Sequence, residues 1–234
     1  MKENFIHVCF VIDRSGSMYG SESDVIGGFK SVVDEQRKNT NGTCAVSYYT
    51  FDDKVDEIYV GKDVNDVEYI DDKYKLGGCT ALFDGVGTAI DKIGQWLNNM
   101  PEEERPEKNL IVIMTDGGEN ASREYCASKV KDMIKHQEEK YNWDFVYMGS
   151  DLSNANDANS LGVGTRLYSS KDNYSANYSI INDTLSSYRN CSGSIEEKRV
   201  FAKNTLNTSC LKMTMEYAED RGLDINDLID NKES

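Results

Sequence analysis

Apolar residues along this chain alternate between two rhythms. Phe5 to Ile12 is hydrophobic almost without a break, the pattern of a strand buried on both faces of a parallel sheet. Val25, Phe29, Val32 and Val33 then fall on one face of a helix, and Ser21 to Asp24 ahead of them has capping-box spacing with Asp in the place of Glu. Cys44 to Phe51 and Lys54 to Val60 read as two strands joined by a turn at Asp52 and Asp53, a hairpin-like pair at one edge. An irregular acidic segment, 63 to 75, leads to the stripe Leu82, Val86, Ile90, Ile93, Leu97, which predicts a helix to about Asn98.

A charged loop holding both prolines separates that helix from Leu110 to Met114, another buried-type strand. A helix from about Ser122 to Lys140 should bury Cys126, Val130, Met133 and Ile134, and Trp143 to Met148 forms the next strand. A loop with a short helix follows, then a brief strand at Arg166 to Tyr168, then a helix marked by Tyr174, Tyr178, Ile181, Leu185 and Tyr188. Alternating strands and helices predict an α/β fold, a doubly wound, mostly parallel sheet with helices on both faces.

Beyond Asn190 the rhythm changes. Residues 194 to 221 are polar and helix-prone, with Val200, Leu211, Tyr217 and Ala218 roughly on one side, and the tail from Leu223 is acidic. The expected division is a main domain over 1–190 and a helical extension with an acidic tail over 191–234, docked on that domain or on a partner.

Composition narrows the classes. A chain of 234 residues is long enough for one sizeable core. Its formal charge of -15 repels nucleic acid and anionic headgroups, so neither nucleic acid nor membrane is expected as a partner. The six cysteines are scattered singly, with no C-x-x-C pair, which argues against zinc and against a disulfide framework. With no apolar run long enough to span a bilayer, the expectation is a cytoplasmic protein.

The chemistry lies where predicted strands stop. Phe5 to Ile12 ends in Asp13-Arg14-Ser15-Gly16-Ser17, the helix at Leu82 is preceded by Gly77-Gly78-Cys79-Thr80, and Leu110 to Met114 ends in Thr115-Asp116-Gly117-Gly118. In an open parallel sheet, ligands bind at the carboxyl ends of the strands, so loops far apart in sequence can meet there. Asp13, Ser15, Ser17, Thr80 and Asp116 offer hard oxygen donors, which suit Mg²⁺, or Mn²⁺ or Ca²⁺, better than zinc or copper. Alternate residues of D-x-S-x-S can face one point while Arg14 and Gly16 turn away. Two Asp charges neutralise a dication and the hydroxyls add none, so the ion stays electrophilic and can accept an outside carboxylate.

These three segments resemble the metal-ion-dependent adhesion site of the von Willebrand factor A domain family, and the likeness covers roughly residues 5 to 190. It implies a sheet of about six strands with one antiparallel edge strand. It also implies that Ser15 and Ser17 bind the metal directly, and that Thr80, Asp13 and Asp116 bind directly or through water. The family's usual activity is protein binding rather than catalysis, and the stand-alone form is most similar to intracellular prokaryotic and bacteriophage members.

Neighbouring residues receive plainer readings. Thr80 can also cap the Leu82 helix; Asp84, one turn in, is expected to support the loop or the helix end rather than touch metal. Glu119 and Asn120 read as solvated loop residues, Asp151 as a rim candidate, Cys79 as a small hydrophobe, and His7 and His136 lie far from the cluster. The function expected is a metal-dependent binding module whose ion is completed by a Glu or Asp of a partner protein, not an enzyme. The alternatives are a Mg²⁺-dependent phosphotransfer or hydrolytic enzyme, which lacks its lysine-bearing phosphate loop here, and an assembly component with a silent metal site.

Overall fold

Six strands form one sheet in the order β3-β2-β1-β4-β5-β6. They are β1 (Lys2–Asp13), β2 (Thr43–Phe51), β3 (Val55–Asp63), β4 (Pro106–Met114), β5 (Asp144–Gly149) and β6 (Thr165–Tyr168). All neighbours pair parallel except β2 and β3, which form the antiparallel edge. The helices are α1 (Glu22–Lys38), α2 (Leu82–Asn98), α3 (Ala127–Tyr141), α4 (Ala155–Leu161), α5 (Tyr174–Asn190), α6 (Ile195–Arg221) and α7 (Ile225–Ile229). This computed structural model describes residues 1–150, 155–170 and 174–229.

The two-residue period of β1 separates two cores. Ile6, Val8, Phe10 and Ile12 face α1 and α5, whereas Cys9 and Val11 face α2 and α3. Both faces are covered, which explains the unbroken apolar run. On the first face α1 and α5 approach so closely that a side chain at Gly28 would meet the Tyr178 ring at 1.9 Å. The expected stripes of α1 and α5 are buried as read. The acidic segment after β3 is less irregular than its charges suggest, because Val64, Val67, Ile70 and Tyr74 all enter the α1 core.

Several boundaries differ for physical reasons. Strand β4 begins at Pro106 rather than Leu110, since the polar residues ahead of the apolar run are buried with partners. Glu107 accepts from the Asn4 amide (2.9 Å), Lys108 pairs with Asp144, and Asn109 bonds His7 (3.0 Å). Helix α3 starts at Ala127 because the amides of residues 123–125 donate to the Asp84 carboxylate, and Cys126 is therefore exposed and Met133 only half-buried. Ser21 makes no side-chain cap bond; the capping box of this chain is at Ser194 and Glu197, opening α6.

Helix α6 docks on the sheet by only part of the expected face, through Tyr217 and Ala218. Val200 and Leu211 are 51% and 43% exposed, while Ala202, Leu206 and Cys210 join one core and Tyr217 and Ala218 the other. At the open edge of β6 the Thr214 hydroxyl accepts from the Tyr168 amide (3.1 Å) and donates to the Arg166 carbonyl (3.3 Å). A side chain thus stands where a seventh strand would pair, which protects the edge.

Candidate metal centre

Strands β1 and β4 are adjacent, and their onward connections leave in opposite directions, to β2 on one side and to β5 on the other. This is the topological switch point, and the carboxyl ends of these two strands open a crevice there. Asp13 is the last residue of β1, and Asp116 follows β4 by two positions. Both are buried, as are Ser15 and Thr80.

Four oxygens of the expected five residues are linked or converge. Ser15 Oγ lies 2.9 Å from Ser17 Oγ, and Thr80 Oγ1 donates to Ser15 Oγ at 3.0 Å. Gly117 marks the meeting point: a Cβ there would stand 2.7 Å from Ser17 Oγ, 2.9 Å from Thr80 Oγ1 and 3.6 Å from Asp13 Oδ2. Three side-chain oxygens from two segments therefore crowd one small volume beside a third segment, and only glycine leaves it open. Asp116 completes the set from the neighbouring position, close enough that its charge helps raise the Asp13 pKa.

Asp13 is anchored from both sides. Its Oδ1 accepts from the Ser15 amide and its Oδ2 from the Thr115 hydroxyl, each at 2.6 Å, while Tyr74 donates to its backbone carbonyl at 2.6 Å. Burial nevertheless pushes the Asp13 carboxyl up to about 6, with these hydrogen bonds opposing and Asp116 adding to the rise. Two buried carboxylates this near one another are a site that gains from a cation. The donors are all oxygens, and the residues fit a hard divalent ion. Among the described residues no group of three or more His, Cys, Asp and Glu side chains could hold a metal, so a cation here depends on the hydroxyls.

The loop after β4 is built more firmly than its sequence suggests. Asn120 Oδ1 accepts from the Thr80 amide (2.9 Å), and the Asn120 and Ala121 amides donate to the Thr80 carbonyl. Glu119, expected in solvent, turns inward: its carboxylate accepts from the amides of Phe83, Ala121 and Ser122 and from the Ser122 hydroxyl. It thereby occupies the N-terminus of α2, the place proposed for Thr80, whose side chain points to Ser15 instead. Asp84 supports the loop as expected, accepting the amides of Arg123, Glu124 and Tyr125 at 2.8–2.9 Å. Thr115, Tyr74, Gly117, Glu119 and Asn120 were not singled out as parts of the site; the T-D-G-G string offered a signal only for the first and third. Cys79 is exposed rather than buried, and Asp151 lies outside the described residues.

The two histidines are elsewhere. His7 lies upstream on β1, hydrogen-bonded to Asn109 and Ser47, and His136 packs its ring against Tyr141 on α3.

No family model matches the sequence, and no curated protein matches it. Solved structures do. The von Willebrand factor domain of the type V pilus tip protein Mfa5 from Porphyromonas gingivalis superposes with a TM-score of 0.60 at 11% identity, over 81% of this chain and 97% of that one. Proximal thread matrix protein 1 from the mussel byssus, in a structure with a zinc-occupied adhesion-site motif, gives 0.55 at 19% identity, over 78% of this chain and 46% of that one. The PilB minor pilin from Streptococcus sanguinis gives 0.54 at 13% identity, over 77% and 61%. This chain spans less than half the length of the thread matrix protein and less than two thirds of the pilin. The fold is that of von Willebrand factor A domains.

Proposed function

We propose that this chain is a metal-dependent protein-binding module. A divalent cation, Mg²⁺ or else Mn²⁺ or Ca²⁺, is held by Asp13, Ser15, Ser17, Thr80 and Asp116, and a Glu or Asp of a partner protein completes its coordination. The observation that carries this reading is the convergence of Ser17, Thr80 and Asp13 oxygens on the space left by Gly117, beside Asp116. The ion would supply an electrophile facing the crevice; the chain's own groups fix the ligand positions through the Thr115, Tyr74 and Asn120 hydrogen bonds.

Binding rather than catalysis is favoured by the placement of the two histidines, neither of which accompanies the serine hydroxyls. The likeness to a zinc-bearing thread matrix domain and to pilus proteins supports a protein partner. With a net charge of -15, a neutral partner bearing one exposed acid fits better than an acidic one, because screening over about 8 Å leaves the short-range metal contact dominant. All six cysteines are free, and no described helix is long and apolar enough to cross a membrane.

Calorimetric titration of metal-stripped protein with Mg²⁺, Mn²⁺ and Ca²⁺ tests the site, and peptides bearing a single Glu or Gln test the partner. Binding of the Glu peptide that needs metal and is lost in Asp116→Ala supports the module. Metal-dependent turnover of phosphoesters sinks it in favour of an enzyme, and metal binding without any carboxylate capture leaves an assembly component.

A further inference from the structure

The end of the sheet opposite Asp13 has the reverse character. A cleft of about 440 Å³ opens where the start of β4, the last turns of α2 and α3, and the first turns of α6 meet. That volume lies within the range of small-molecule sites. Three cations from three separate segments line it: Arg105 ahead of β4, Lys140 at the end of α3 and Arg199 on α6. Glu102 is the one acid among the described lining residues.

A chain with 41 acidic and 26 basic residues has carboxylates to spare, and nearby cations use them. Lys108 and Lys203 pair with Asp144, and Lys198 lies by Glu107. Among the described residues, Arg105, Lys140 and Arg199 have no carboxylate partner. The two arginines are held by neutral acceptors instead: Arg105 Nε donates to the Met100 carbonyl (3.1 Å), and Arg199 Nε and Nη2 donate to the Glu107 carbonyl (2.9 and 2.7 Å). Such bonds fix a guanidinium in place without cancelling its charge. Tyr141, 51% exposed, and buried Trp143 also line the cleft.

We propose that this cleft is a second binding site, for a small organic phosphate of the mononucleotide class. Its phosphoryl oxygens accept from Arg105, Lys140 and Arg199, and its flat ring lies on Tyr141. Arg199 belongs to α6, so the site exists only because that helix docks on the sheet. It stands at the amino ends of the strands, about 20 Å of strand away from Asp13, and does not depend on the metal centre.

The test titrates AMP, inorganic phosphate and adenosine into the full chain and follows the Trp143 indole and Tyr141 ring resonances. AMP is expected to saturate at millimolar concentration or below, phosphate to bind the same groups about tenfold more weakly, and adenosine not to bind. Arg105→Gln and Lys140→Glu should each weaken AMP about tenfold while leaving Mg²⁺ titration at the other end unchanged, which shows that the variants are folded. Unmoved resonances with millimolar AMP overturn the proposal. So does adenosine binding as tightly as AMP, or AMP binding that survives both substitutions in a folded chain.

Discussion

The two ends of this sheet treat buried charge in opposite ways. At the carboxyl end Asp13 and Asp116 are carboxylates set side by side among neutral hydroxyls, and burial with mutual repulsion holds the Asp13 proton up to about 6. At the amino end the charges are crossed. Lys108 meets Asp144, Glu107 accepts from Asn4 and Tyr188 and lies by Lys198, and His7 sits between Asn109 and Ser47. The buried charges of the amino end neutralise one another and serve stability, and only the cations lining the cleft beside them are left over. The other end concentrates like charge that an outside cation relieves, the arrangement expected of a site rather than of a core.

The largest effect should come from breaking the like-charged end. Divalent-cation binding and a rise in melting temperature with Mg²⁺ are expected in the parent chain, and Asp13→Ala is expected to remove both, read by calorimetry. Retained tight binding would dissolve the contrast.

At the crossed end, Asp144→Ala leaves the Lys108 ammonium buried without its partner. Burial already lowers the Lys108 pKa while Asp144 opposes that fall. A loss of about 3–5 kcal/mol in urea unfolding is expected, with cation binding intact if the domain stays folded.

His7 supplies the pH dependence. Complete burial lowers its pKa from 6.5 to about 4, with the Asn109 hydrogen bond opposing. Between those values the unfolded chain carries a proton that the folded chain refuses. The His7 contribution to stability is therefore lost as pH falls from about 6.5 to about 4, by about 3 kcal/mol at the full shift, while the raised Asp13 carboxyl contributes with the opposite sign below about 6. His7→Gln should flatten that part of the stability profile relative to the parent; an unchanged slope would refute the assignment.

A subtler cut leaves the ligands in place. Asn120→Ala removes the acceptor that holds the Thr80 amide and should weaken cation binding about tenfold, read by calorimetry with melting nearly unchanged. Smallest of all, Tyr48→Phe deletes a buried hydroxyl that has no hydrogen-bond partner among the described residues. It should shift stability by less than about 1 kcal/mol, toward greater stability.

What could be read in the chain follows the range of the interactions. The central strands were legible because two covered faces demand an unbroken apolar run, as in Phe5 to Ile12. Asp13, Ser15, Ser17, Thr80 and Asp116 could be proposed as a set from sequence because each sits where such a run stops or a helix starts. Glu119 and Asn120 were not, because their partners at Phe83 and Thr80 are brought close only when the loop after β4 folds across the start of α2. Only the Tyr217 and Ala218 half of the expected α6 face is buried, for a related reason. The helix covers a sheet edge through Thr214 and a polar rim through Lys198, so its buried stripe is not its most hydrophobic one.

The sequence by itself determined the strand and helix rhythm, the acidic balance and which oxygen-bearing side chains follow the strands, since these depend on residue type and local spacing. Only the tertiary structure decided that β1 and β4 lie side by side, that Gly117 leaves the space those donors surround, and that Arg199 reaches a cleft with Arg105 and Lys140. Those outcomes are distances between residues far apart in the chain, and packing alone sets them.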